Sequence, residues 1–201
     1  MPKVTEEHRV ARREQIINAA RSCVIQQGFH KTTMADVIRE SGLSAGAVYG
    51  YFKSKEEIVA AIADSALSSV DQLFEGILAQ EAPLTPAAAL EAVLNHLTGL
   101  ACHPDGDITR VGLQAWAEAM HNEGIMAVAH QKYSLLRNHF VAVARRAQAD
   151  GTLDPDADPE HIGQVLFGLI PGFILQRLIL GDVTPETYIA GLKALLGTPK
   201  P

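Results

Sequence analysis

Apolar side chains along this chain return at three- and four-residue intervals, with polar caps, glycines and prolines marking where each run begins and ends. Val10, Ile17, Ala20 and Val24 share one helical face, and Gly28 follows as a residue free to take positive φ. Thr33 to Asp36 reads as a capping box, and the short helix it opens ends at Ser41-Gly42. Ser44 caps a second short helix running to about Phe52. Ser54 to Glu57 opens a long helix with Ile58, Ile62, Ala66, Val70, Leu73 and Ile77 on its apolar side. Thr85-Pro86, Asp158-Pro159 and Thr184-Pro185 each set a polar cap before a proline at the first helical position. Between them, 107–121 reads as a medium helix and 122–150 as a long one. The long one turns Ile125, Val128, Leu136, Phe140 and Val143 inward and stops at Gly151. No run alternates with the period of a strand. The pattern predicts an all-α chain of about nine helices.

The stretch from Thr32 to Phe52 says most. Two helices this short bury little separately, so they must cross over a shared core, which Met34, Val37, Ile38, Leu43, Val48 and Phe52 are spaced to supply. Gly42 sits where the chain reverses tightly. This is the pattern of a helix-turn-helix, whose second helix is shaped to lie in a DNA major groove.

Thr32-Thr33, Asp36-Val37, Gly42-Leu43-Ser44, Val48-Tyr49, Tyr51-Phe52 and Lys53-Ser54-Lys55-Glu56 together resemble the TetR family of transcriptional regulators. The resemblance covers roughly residues 9–60 in motif and the remainder in helix layout. It implies a three-helix DNA-binding domain at 1–58, with the helix-turn-helix at about 33–52, and an effector-binding and dimerisation domain at 59–201. By position it implies phosphate contacts from Thr33, Tyr49 and Lys55, and a groove-facing set of Ser44, Ala45, Ala47 and Tyr51, with Gly46 and Lys53 completing the DNA side. The second helix departs from expectation in lacking Arg, Asn and Gln, the side chains best suited to bidentate base contacts. Ala45, Gly46, Ala47 and Gly50 instead permit close approach and contact with thymine methyls. Ile38 also stands where the family usually has alanine, implying a repacked crossing.

Beyond residue 60 the chain carries more apolar surface than a scaffold requires. Phe74, Trp116, Met120, Phe140, Phe167 and Phe173 are candidates to line an effector cavity, with His96, Gln114 and Gln176 as polar contacts. Aromatic residues at helical spacing serve equally well as plain core. The stretch 162–180 is apolar nearly all round and must be covered on every side. Gly168 and Gly172 there allow close helix approach, and Pro171 should kink the helix. With the last helix it forms the expected dimer interface, carried by Ile162, Val165, Leu166, Leu169, Phe173, Tyr188 and Leu192.

Charge supports this division. The net charge is −6, yet residues 1–60 hold nine Lys/Arg against seven Asp/Glu, and the remainder eight against sixteen. A slightly basic head on an acidic body suits a duplex partner. Composition is globular, with 47% hydrophobic and 20% charged residues. The start of the chain lacks the apolar core of a signal peptide, and the longest unbroken apolar run, Val165 to Leu175, is short for a membrane span. Cys23 and Cys102 are far apart and read as free thiols in a reducing compartment, so a cytoplasmic protein is expected. His96 with Cys102 and His103, and Glu118 with His121, lack the spacing of a closed metal site. No glycine-rich phosphate loop, nucleophile elbow or HExxH is present. No metal, cofactor or catalytic activity is therefore expected. The expected function is a dimeric DNA-binding repressor released by a small apolar or amphipathic effector. The alternatives are an activator or partner-controlled regulator, and a helical small-molecule-binding protein or enzyme with a vestigial head.

Overall fold

A computed structural model of the chain describes residues 6–101 and 107–197. Nine helices and no strand occur among the described residues. They are α1 (Glu6–Gln27), α2 (Met34–Ser41), α3 (Ala45–Tyr51), α4 (Lys55–Leu78), α5 (Pro86–Ala101), α6 (Ile108–Ala119), α7 (Glu123–Ala149), α8 (Pro159–Ile179) and α9 (Pro185–Leu195). The polar caps read from the sequence hold their helices. Thr33 and Thr184 form capping boxes, Ser44 accepts from Ala47 N–H, and Asp158 accepts from Glu160 N–H ahead of Pro159. Gly28 and Gly42 take φ of 87° and 66°, the left-handed region that ends α1 and α2. α8 remains one helix through Pro171.

The chain divides into two compact units, and the first is discontinuous: Met1–Ala66 with Ala101–His130. α6 and the start of α7 thus fold with the head. α1 packs against α2 and α6. The core of this unit joins Ile16, Ile17, Ala20 and Val24 of α1 to Val37, Val48, Phe52, Ile58 and Ile62, and to Val111, Ala119 and Ile125. Met34, Ile38 and Leu43 pack on it partly buried. Val10, expected on the apolar face of α1, is 53% exposed: among the described residues no element buries the first turns of α1, and Ile16 with Ile17 anchors the helix.

The second unit comprises Leu67–Leu100 and Gln131–Pro201. Its core holds Val70, Phe74, Ile77, Leu90, Leu94, Phe140, Val143, Leu166, Ile170, Phe173 and Ile189. Arg146 ties the end of α4 down: Nε donates to both Asp150 carboxylate oxygens at 2.9 Å, and its terminal nitrogens donate to Leu78 O and Gln80 O. Asp150 also accepts Leu84 N–H. Among the described residues α8 is the one helix long and apolar enough to cross a membrane by length and composition, although its longest unbroken apolar run is short. Most of that stretch is not buried within the subunit. Val165, Leu175 and Ile179 are 62%, 42% and 73% exposed and lie on one side of the helix.

Candidate nucleic-acid interface

α3 is the short exposed helix of the head, held from beneath by buried Val48 and Phe52. The same spacing leaves Ser44, Ala45, Gly46, Tyr49 and Gly50 on the outside, with Ala47 and Tyr51 half-buried at the edges. A Cβ added at Gly46 or Gly50 would meet nothing within 4 Å, so beside the Tyr49 ring the outer surface of α3 is open backbone and small side chains. Tyr49 presents its ring to solvent, at 43% exposure. Lys53 donates its ammonium to Tyr49 O at 2.6 Å, setting a positive charge at the C-terminal end of α3.

Thr33 lies at the start of α2, exposed and already bonded. Its hydroxyl donates to Asp36 Oδ2 at 2.7 Å and accepts Asp36 N–H, and its own N–H donates to the same carboxylate at 3.0 Å. These bonds, with the Arg39 guanidinium at 2.7 Å, lower the Asp36 carboxyl to about 2. Lys55 is half-buried: its ammonium donates to Phe29 O and stands 4.5 Å over the Phe29 ring. Burial pulls Lys55 below the ordinary lysine value, while Glu118 and Glu56 pull it back up. Arg13 of α1 similarly covers the Phe52 ring at 5.5 Å.

The candidate effector residues fall in different places. Gln114, Trp116 and Met120 belong to the first unit. Gln114 Oε1 accepts Phe29 N–H at 2.9 Å, and Met120 is 75% exposed just beyond α6. In the second unit Phe74, Phe140 and Phe173 are wholly buried. Phe74 stacks on His139 at 4.6 Å and meets Phe140 edge-on at 5.1 Å. His96 bonds Ser69 Oγ at 2.9 Å, Phe167 tilts against Tyr133, and Gln176 is exposed. The bond from Gln114 to the head had no local signal in the sequence, because its partner is a backbone N–H 85 residues away.

Of the residues expected at the dimer interface, Ile162, Val165, Leu166, Leu169 and Leu192 line a groove of about 650 Å³ together with Leu153, Leu196 and the start of α5. Phe173 is on the inner side of α8, edge-on to Tyr188, whose hydroxyl donates to Leu169 O. Among the described residues no group of three or more His, Cys, Asp or Glu is placed to hold a metal ion. Cys102 and His103 lie outside the described residues, and Glu118 faces His30 at 3.6 Å.

A short exposed helix with small outer residues, set after a tight turn on a capped partner, defines a helix-turn-helix regulator. Comparison with known proteins agrees. Residues 16–62 match the bacterial regulatory proteins of the tetR family, and residues 86–198 match the C-terminal domain of the BetI-type transcriptional repressor. The chain belongs to the TetR family of transcriptional regulators, not to an enzyme family. It is 29% identical to the HTH-type transcriptional regulator YfiR of Bacillus subtilis (strain 168) over 182 residues, covering 90% of this chain and 87% of that protein. It shares its fold with GusR of Salmonella enterica, with a TM-score of 0.75, 24% identity and coverage of 98% and 100%. It also shares it with SmeT, solved in complex with triclosan, with a TM-score of 0.72, 20% identity and coverage of 84% and 81%.

Proposed function

We propose that the chain is a homodimeric repressor, acting in the cytoplasm, that leaves its DNA operator when a small apolar or amphipathic molecule binds its helical body. The observation that carries this reading is the open outer face of α3, small-residued except for Tyr49, with Ser44, Ala45, Gly46, Ala47, Tyr49, Tyr51 and Lys53 on or around it and Thr33 at the start of α2. Tyr49 and Lys53 supply phosphate donors at its rim, and the small residues let base edges come close. Repression follows the match to a repressor's C-terminal domain, and an effector is in keeping with the SmeT–triclosan complex. The exposed stripe of α8 and the adjoining groove supply the apolar surface a second copy would cover.

α4 passes from the first unit into the second and is the natural lever. Adjacent major-groove half-sites lie about 34–36 Å apart, so a shift of a few ångströms between two heads spoils simultaneous docking. The effector must bind the two states unequally, and a coupling of about 1–3 kcal/mol changes DNA affinity about 5- to 150-fold. A gel shift with the duplex flanking the protein's own gene, run at two salt concentrations, tests the reading. Retention that weakens steeply with salt is expected, and Tyr49→Phe should weaken all duplexes about equally. A chain that ignores duplex DNA even in dilute buffer is not a repressor.

A further inference from the structure

Phe29 lies between α1 and α2, where a residue ordinarily turns its peptide groups to water. Here both are taken by other elements of the same unit. Its N–H donates to Gln114 Oε1 of α6 at 2.9 Å. Its carbonyl accepts the Lys55 ammonium at the start of α4, and that ammonium also covers the Phe29 ring. The connection beyond is closed on itself: buried Thr32 shares its N–H between Gly28 O at 3.2 Å and Phe29 O at 3.3 Å, and its hydroxyl donates to Gly28 O at 2.9 Å. Thr33, the cap of α2, follows directly. Whatever fixes the Phe29 peptide therefore fixes where α2 begins, and α2 supports α3.

We infer that Gln114 and Lys55 are positioning residues for DNA binding, clamping the Phe29 peptide from α6 and α4 so that the helix-turn-helix is presented in one orientation. The inference rests on the DNA-binding reading above and deepens it. It gives Gln114 a place in the head in preference to an effector pocket, and it gives Lys55 a role other than the phosphate contact implied by position. The two roles of Lys55 differ in a measurable way. A lysine that neutralises a phosphate contributes about 0.9 to the slope of log affinity against log salt, whereas one bonded within the protein contributes nothing to that slope.

The test uses the full chain and a labelled duplex from the DNA flanking its own gene, titrated across a series of KCl concentrations. Gln114→Leu removes the acceptor and should weaken binding about fivefold, the worth of one hydrogen bond, at unchanged salt slope. Lys55→Met should weaken it likewise, again at unchanged slope. Hydrogen exchange at the Phe29 amide should quicken in Gln114→Leu and stay protected in Gln114→Glu, which keeps an acceptor oxygen. A slope reduced by about one unit in Lys55→Met makes Lys55 a direct phosphate contact and overturns its assignment. Wild-type affinity in Gln114→Leu overturns the clamp. Should Gln114→Leu fail to fold, Lys55→Met decides alone. A wild-type chain that does not bind the duplex at all brings down the proposed function first, and is told apart because no variant comparison then arises.

Discussion

A Cβ added at Gly163 would stand 2.6 Å from Val141 Cγ2 and 3.1 Å from Val141 N, so α7 and α8 cross closer there than alanine allows. Gly163→Ala should therefore cost about 1–3 kcal/mol in urea unfolding, by overpacking. Val141→Ala in the same background should return part of the loss, because one of the two close contacts is to its side chain. Full wild-type stability in the single variant would mean that the crossing relaxes freely. The sequence pointed to Gly168 and Gly172 for close approach at the expected dimer interface and left Gly163 unmarked. A Cβ added at Gly172 would stand 3.1 Å from the Tyr188 hydroxyl, and one added at exposed Gly168 would meet nothing of the same chain within 4 Å. A run that is apolar nearly all round does not say which side faces which neighbour, so periodicity could not choose among its glycines.

Helix ends were the most legible elements, since a cap and its partner lie within three or four residues. α2 shows what such an end contributes. Its Asp36 carboxylate receives the Thr33 hydroxyl and N–H and the Arg39 guanidinium, and its folded value falls to about 2 from an ordinary 3.8. A depressed acid contributes stability that is fully present above its unfolded value and is lost as pH falls through its folded one. The wild type should therefore lose denaturation midpoint between about pH 4 and pH 2 more steeply than Asp36→Ala. Parallel curves would show that the box contributes nothing. Even this local reading had a limit. Ser54 accepts Glu57 N–H as a cap should, but the Glu57 carboxylate reaches back to Lys53 N–H rather than to Ser54's own. Contacts set by tertiary packing, such as Gln114 to Phe29 or Arg146 to Leu78 O, leave no local trace, because they depend on where distant elements meet.

At the scale of the molecule, the helix-turn-helix motif ends near residue 58, while the compact unit that holds it also takes in α6 and the start of α7. Linear sequence shows where a motif stops, not which later helix returns to cover it. The outer face of α8 raises the complementary question of what covers it. Val165, Leu175 and Ile179 are exposed while Leu166, Ile170 and Phe173 on the other side are buried, so substitutions on the two sides should separate. Val165→Glu adds a charge to a side chain with little role inside the subunit. If a second copy covers this face, the variant should stay folded yet sediment at the mass of one chain, because a buried unpaired charge is costly. Its duplex binding should then fall by at least about 100-fold through lost bivalency. The salt slope should drop toward half, since one head meets half the phosphates. A Val165→Glu protein that remains dimeric and keeps its full slope would place the seam elsewhere, and the α8 stripe would need another partner.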